Sequence, residues 1–448
     1  MDRRPPQLEL DLSRLIPQAR RAARIFVDGR VTKVVGIMAE AHLAQAAIGD
    51  LCHIHTPHGP VPAEVAGFLA DRVQLMPLGE LRGIGVGARV IRHGGTGRVM
   101  VGPELLGRVI DGFGRPIDGR PLPTPQASRD LYARPLSPLE REPVRQPLYL
   151  GIRALDGLLT CGRGQRVGIM AGPGVGKTVL LSMIARRAAY DVMVMALVGE
   201  RGREVNDFVH SFSKSPEFGR MAVVASTSDR PAPERLRAAF LATAVAEYFR
   251  DQGLNVLLVM DSLTRVAMAQ REVGLAVGEP PTTKGYTPSV FAKLPSLLER
   301  AGAKAAGGSI TGIYTVLMEG DDMSDPIADA AIAILDGQIV LSRRLAGMGH
   351  FPAVDLLKSV SRVMPDVTEP AHWEAARRLR ETVSLLADSE DLINIGAYEP
   401  GKNPRLDEAL QRKGSLFEFL RQGTEEVTPP SETLRWLARL AGMSGGAR

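Results

Sequence analysis

Cysteine is nearly absent from this 448-residue chain: there are two, Cys52 and Cys161, far apart in sequence. No disulfide framework and no cysteine-based zinc site can be built from them, and such usage fits a reducing compartment. Aromatic residues make up only 5% of the chain, and before Tyr132 they are limited to Phe26, Phe68 and Phe113. Few rings are therefore on hand for stacking bases, and no nucleic-acid partner is expected. No apolar run is long enough to cross a bilayer. The opening residues, MDRRPPQLELDLSRL, lack the continuous apolar core of a secretory signal. The net charge is only +5, a basic excess too mild to decide between an anionic membrane surface and any other acidic partner. What is present is 44% hydrophobic and 23% charged residues, the balance of a soluble globular protein with two or three domains. A cytoplasmic location is expected, with any membrane contacted from that side.

Along the chain, the pattern divides into a leader (residues 1–26), a small β-barrel (27–95), an α/β nucleotide-binding core (96–375) and a C-terminal helical domain (376–448). In the leader, Leu12, Leu15, Ile16, Ala19, Ala22, Ala23 and Phe26 recur at helical spacing with arginines between them, and Pro17 starts or kinks that helix. The stripe fits a helix packed on its own domain, or one that docks a partner or an acidic membrane. From Val31 to Ile91, short apolar runs broken by Gly, Pro and Asp predict the strands of the barrel. There, alternation puts His53 and His55 on one strand face, where a metal is conceivable and ordinary packing is favoured. Residues 96–150 are rich in Gly, Pro and Arg and read as a linker leading into the larger domain. Beyond Gly164, β-branched and Leu/Met runs alternate with helical patterns, which is α/β grammar with a mostly parallel sheet. Helices are expected at 373–386, 403–412 and 431–440, with Asn403 as N-cap before Pro404.

The most specific local signal is QRVGIM, an apolar strand, followed by Ala171-Gly172-Pro173-Gly174-Val175-Gly176-Lys177-Thr178 and then a helix opening at Val179. A strand, a Gly-rich turn ending in Gly-Lys-Thr, and a helix make a phosphate-binding loop. Glycines let successive backbone N–H groups face phosphate oxygens, and the helix N-terminus adds favourable dipole charge. Lys177 is placed to reach the β- and γ-phosphates, and the Thr178 hydroxyl to ligate Mg²⁺. Ala171 stands where the strict pattern has Gly, and a small residue still fits. A second metal carboxylate is expected at the end of a buried strand beside the first, and VLLVM-Asp261 supplies it. Glu200 follows the apolar run VMVMALV and Gly199, at a strand edge where ligands collect. Spacing alone leaves it either the base that polarises the attacking water or a surface partner of Arg201 or Arg203.

Several long segments, in this order, carry a wider resemblance: LEREPVRQPLYLGIRALDGLLTCGRGQR, AGPGVGKT, GERGREVNDF, MDSLTRVAMAQREVGLAVGEPPTTKGYTPSVFAKLPSLLERAG, YTVLMEGDDMSDPIADAAIAILDGQIVLSR, HFPAVDLLKSVSRVMPDV and LINIGAYEPGKNPRLDEAL. Together they resemble the hexameric ATPases related to the catalytic subunit of rotary ATP synthases, and among them the flagellum-specific ATPases of type III protein export. The resemblance spans about Gly29 to Gly423. It implies a RecA-like P-loop core binding ATP and Mg²⁺, with Glu200 as the catalytic carboxylate, Arg201 as a site-organising neighbour, Asp261 as the Walker B residue and Arg265 near the phosphates. It further implies that Arg362, in SVSRVMPD, is an arginine finger offered to the neighbouring subunit, and that Phe351 packs on adenine, where ordinary core packing is the alternative. The implied assembly is a homohexamer. Implied partners are a stator-like regulatory subunit, a central coiled-coil stalk protein, export-gate membrane proteins and chaperone–cargo complexes, at the cytoplasmic face of the inner membrane.

Thr178 replaces a Ser common in that family and keeps the hydroxyl; Thr287 replaces the first proline of a GYPPSVF segment; the leader has no clear match. An injectisome ATPase is the near alternative, disfavoured by EPPTTKGYTPSVFAKLPSLLERAG. MEGDDMSDPIAD and PPSETLRWL argue against a rotary synthase subunit, and the scarcity of aromatics in the barrel against an RNA-translocating helicase.

Overall fold

The computed structural model describes residues 27–79, 81–318, 322 and 324–443; the helix expected in the leader lies outside them. The chain divides into two compact units, one ending at Gly97 and one beginning at Arg98.

The first unit is a closed six-stranded barrel. Its strands are Val27–Val35, Met38–His42, Asp50–Thr56, Gly59–Leu69, Arg72–Pro77 and Arg89–Thr96. Every strand pair is antiparallel, and the first strand closes the ring against the last. Alternation fills the interior with small and branched side chains such as Cys52, Ile54, Ala63, Val65 and Leu75, all at most 1% exposed. His53 and His55 take the outer face of their strand, and His53 packs edge-to-face on His93 at 4.3 Å.

In the second unit, eight strands lie side by side: Val354–Ser361, Gly337–Leu341, Arg166–Ala171, Ser309–Leu317, Asn255–Asp261, Val192–Val198, Met221–Ser226 and Arg108–Ile110. All neighbours are parallel except the first pair, which is antiparallel. Each central strand is buried on both faces, so most of them read as apolar runs. In Val192–Val198, Met193, Met195 and Leu197 face one helical layer, and Val192, Val194, Ala196 and Val198 face the other.

Two expectations need correction. The Asp261 strand is not beside the P-loop strand, because Ser309–Leu317 lies between them. Lateral order is invisible in sequence when every strand is doubly buried. The segment read as a linker is also structural. Arg98–Val101 pairs with Ala127–Asp130, and Arg108–Ile110 forms the far edge of the main sheet. Turn-rich composition masked these strands of only three or four residues.

Three helices near the C-terminus, Pro370–Asp388, Pro404–Leu420 and Pro430–Leu440, each begin with proline in the first turn. Asn403 caps the second by accepting from the Leu406 N–H. They run longer than their apolar periodicity suggests. They pack on the same apolar layer as the P-loop helix, through Leu416, Phe419, Leu437 and Leu440.

Candidate functional site

Strand Arg166–Ala171 lies inside the sheet, so its C-terminal end opens onto the middle of one sheet edge. The loop that follows turns on Gly174 (φ +76°) and Gly176 (φ +89°), left-handed conformations that favour glycine. Ala171 and Gly172 are buried, Pro173 and Gly174 are exposed, and Val175 anchors the loop in the core. Ala171 passes smoothly from strand to loop, and its carbonyl accepts from the Met318 N–H. Helix Lys177–Arg187 starts at once, with Thr178 and Val179 exposed on its first turn.

Two carboxylates converge on Lys177. Its ammonium is ion-paired and hydrogen-bonded to Asp261 Oδ1, and stands 3.7 Å from Glu200 Oε1. Thr315 Oγ1 donates to the same Asp261 oxygen at 2.6 Å. Glu200 is 7% exposed, and its Oε1 accepts no hydrogen bond among the described residues. Burial pushes the Glu200 pKa up; Lys177 opposes that shift, while Asp261 and Glu204 add to it. A buried carboxylate with a raised pKa beside a phosphate-binding lysine suits a group that must accept a proton.

Arg265 lies on helix Leu263–Ala276, and its Nε is buried without a hydrogen-bond partner among the described residues. It packs so closely on the turn before Glu200 that a Cβ on Gly199 (φ +71°) would stand 2.7 Å from the Arg265 Cβ. Phe351 is 45% exposed, outside the core, and its ring lies 3.5 Å from the Cβ position of Gly176. Arg201 points to solvent, and its one ion pair among the described residues, at 3.9 Å, is to Glu204. Glu204 and Thr315 were not singled out from the sequence. Glu204 lines the cleft together with Thr178, Glu200 and Asp261. Thr315 shares strand Ser309–Leu317 with the hydroxyls of Ser309, Thr311 and Tyr314, so nothing in the sequence set it apart.

Arg362 is not brought to this group within one chain. Its N–H donates to the Asp336 carbonyl, whose own N–H donates to Arg166 O. Arg362 thus lies level with the first residue of the P-loop strand, five residues or ~17 Å before Ala171. It is exposed at the opposite edge of the sheet.

The orphaned Glu200 and Arg265 atoms, the free Thr178 hydroxyl and the Asp261 carboxylate fit a polyanion with a hard divalent cation. A P-loop at the edge of a parallel sheet, with an acidic pair around its lysine, defines a nucleotide-hydrolysing P-loop protein. Comparison with known proteins narrows this. Residues 151–361 match the nucleotide-binding domain of the ATP synthase alpha/beta family, 31–94 match that family's beta-barrel domain, and 368–439 match the T3SS EscN ATPase C-terminal domain. The chain belongs to the ATP synthase alpha/beta family and is an ATPase of its type III secretion branch. It is 51% identical over 417 residues to the "Flagellum-specific ATP synthase" of Bacillus subtilis (strain 168), covering 92% of this chain and 95% of that protein. To the "Type 3 secretion system ATPase" of Sinorhizobium fredii (strain NBRC 101917 / NGR234) it is 50% identical over 435 residues, covering 97% and 96%. The assembled ATPase EscN of enteropathogenic E. coli superposes with a TM-score of 0.88 at 46% identity, over 92% of this chain and 100% of EscN. EscN is also known in complex with its central stalk EscO.

Proposed function

We propose that this chain hydrolyses ATP to ADP and phosphate at an interface between identical subunits, and that the hydrolysis energises type III export of flagellar proteins. The observation that carries the reading is Glu200, a buried carboxylate whose Oε1 accepts no hydrogen bond among the described residues and stands 3.7 Å from the P-loop lysine. In this reading the backbone of residues 171–176 cradles the phosphates and Lys177 neutralises their charge. Thr178 and Asp261 would hold Mg²⁺, which supplies further charge neutralisation on the phosphate oxygens. Glu200 takes the proton of the attacking water. Arg265 and Arg201 order the surrounding charge, Phe351 backs the adenine, and Val179 completes the first turn of the phosphate-binding helix.

Arg362 of one subunit serves the next. Its position ~17 Å from its own P-loop end supports this, since one chain cannot fold the two together. Identical chains in a closed ring complete every site, and six is the number the family resemblance favours. The central stalk in the EscN complex supports a coiled-coil stalk partner here. A stator-like subunit, export-gate membrane proteins and chaperone–cargo complexes complete the proposed set, with the ring in the cytoplasm against the inner membrane. Among the described residues no helix is long and apolar enough to cross a membrane.

Two measurements test this. Glu200→Gln should lower the hydrolysis rate by about 10²–10⁴-fold with ATP binding retained. Arg362→Ala should be inactive alone and regain part of its activity when mixed with Lys177→Ala. Normal turnover by Glu200→Gln refutes the base, and no rescue in proven mixed rings refutes the shared site. Retention from native cells of injectisome rather than flagellar export components would reassign the cargo.

A further inference from the structure

If Arg362 of one copy enters the site of the next, the residues flanking each must also meet, and both flanks carry exposed charge. Asp366 follows Arg362 by one turn and is exposed. It lines a groove of about 520 Å³ together with Val363 and Arg145. Its carboxylate takes no hydrogen bond or ion pair among the described residues. On the other flank, helix Gly202–Phe212 begins two residues after Glu200 and buries Val205, Phe208 and Phe212. That burial turns Arg203 and Asp207 outward, with side chains 90% and 64% exposed and one turn apart. Their mutual contact is long, at 3.5 Å. The helix therefore presents a cation and an anion one turn apart, and the groove beside Arg362 is lined by charge of both signs, Asp366, Glu142 and Asp336 with Arg145, Arg141 and Arg166, of which Asp366 lies nearest in sequence to Arg362.

We propose that the outward face of helix Gly202–Phe212 docks into the groove beside Arg362 of a second copy of this chain, with Arg203 paired to Asp366 across the interface. The contact rests on the shared-site reading above and deepens it. It would fix the approach of Arg362 to Glu200, since an arginine finger acts only when its guanidinium is held in register with the reacting phosphate. Neither Arg203 nor Asp366 touches the Lys177–Glu200–Asp261 group. Their loss should act through assembly and through the dependence of turnover on protein concentration, leaving nucleotide binding by the single chain intact.

The test is a charge exchange between separate chains. Arg203→Asp places two anions at each self-interface, and Asp366→Arg places two cations. Each variant alone should need about tenfold or more higher protein concentration to assemble in the presence of a non-hydrolysable ATP analogue, followed by analytical ultracentrifugation. An equimolar mixture can alternate around a ring so that every interface again joins opposite charges. It should return assembly and ATP turnover to within about threefold of the unmodified chain. Single variants that assemble normally, or a mixture no better than its parts, overturn the contact. The neutral pair Arg203→Gln and Asp366→Asn gives a second measurement, independent of how the reversed charges fold. Combined in one chain, they should weaken assembly no more than either alone, and fully additive losses again overturn the contact. Rescue between Arg362→Ala and Lys177→Ala separates the two levels: rescue there without rescue here removes only this contact, and failure of both removes the shared site.

Discussion

Arg153→Ala should release the C-terminal helices from the nucleotide-binding core. Arg153 is 3% exposed, and its guanidinium is enclosed at the C-terminal end of helix Pro404–Leu420. It donates to the carbonyls of Phe419 at 3.1 Å, Glu418 at 3.3 Å and Arg421, and to Thr428 Oγ1 at 3.0 Å. It is also paired with Glu426 and lies 5.0 Å from the Trp436 ring centre. Helix-end carbonyls have no partner of their own, and a cation there is favoured by the helix dipole. Hydrogen bonds from a charged donor contribute about 1.5–3 kcal/mol each, but one guanidinium serves them all, so they do not add. The Glu426 pair is discounted because that carboxylate is 46% exposed. The ring contact adds about 1 kcal/mol. A loss of about 3 kcal/mol is expected, near the lower end for removing one partner of a buried charged network. Native-state hydrogen exchange reads it directly: amides of Pro430–Leu440 should exchange about 150-fold faster, at 1.36 kcal/mol per decade. Arg153→Lys should recover little, since one ammonium cannot reach this many acceptors. Exchange accelerated by less than about fivefold, or full recovery with lysine, refutes the clasp.

Three further outcomes follow from the site. Burial raises the Glu200 pKa, so the base form needed for catalysis is lost on acidification at a higher pH than for an ordinary glutamate; the acid limb of kcat should lie above about 4.3, and a limb at or below that value refutes the burial argument. By the same sign, the shift stabilises the folded chain at low pH, and that contribution is lost as pH rises through the folded pKa. Gly199→Ala forces a non-glycine into φ +71° and a Cβ to 2.7 Å from the Arg265 Cβ; turnover should fall at least about tenfold with ATP still bound, as expected for misplacement of the base, and unchanged turnover refutes the packing role. Thr315→Val removes the 2.6 Å hydrogen bond to Asp261 in a fully buried place, at a cost of about 1–2 kcal/mol; isothermal titration should show Mg-ATP binding weakened by about tenfold, and wild-type affinity refutes Thr315 as the residue that orients Asp261.

The parts of the site that were legible in the sequence are those whose chemistry is contiguous. Glycines, lysine and threonine lie in one stretch between a strand and a helix, so Gly174, Gly176, Lys177 and Thr178 could be proposed as a phosphate site without the fold. Asp261 could be proposed because an apolar run ends on it, yet its neighbour in the sheet was misjudged. Strands buried on both faces carry no mark of their lateral order, and the interposed Ser309–Leu317, with Ser309, Thr311, Gly312, Tyr314 and Thr315, does not even read as a plain apolar run. Arg153 was unreadable for a different reason: its acceptors lie more than 260 residues away in sequence. Arg362 is the extreme case. Nothing in its spacing marks it, and only resemblance singled it out. It is exposed at the strand ends opposite the P-loop, whereas the described site gathers Lys177 and Arg265, with Arg201 beside it on an exposed turn. If Arg362 is the finger proposed above, it must serve a second copy, since it lies ~17 Å from its own P-loop end. An isolated chain built this way should bind ATP and turn it over slowly, so that the rate per chain rises with concentration as subunits meet.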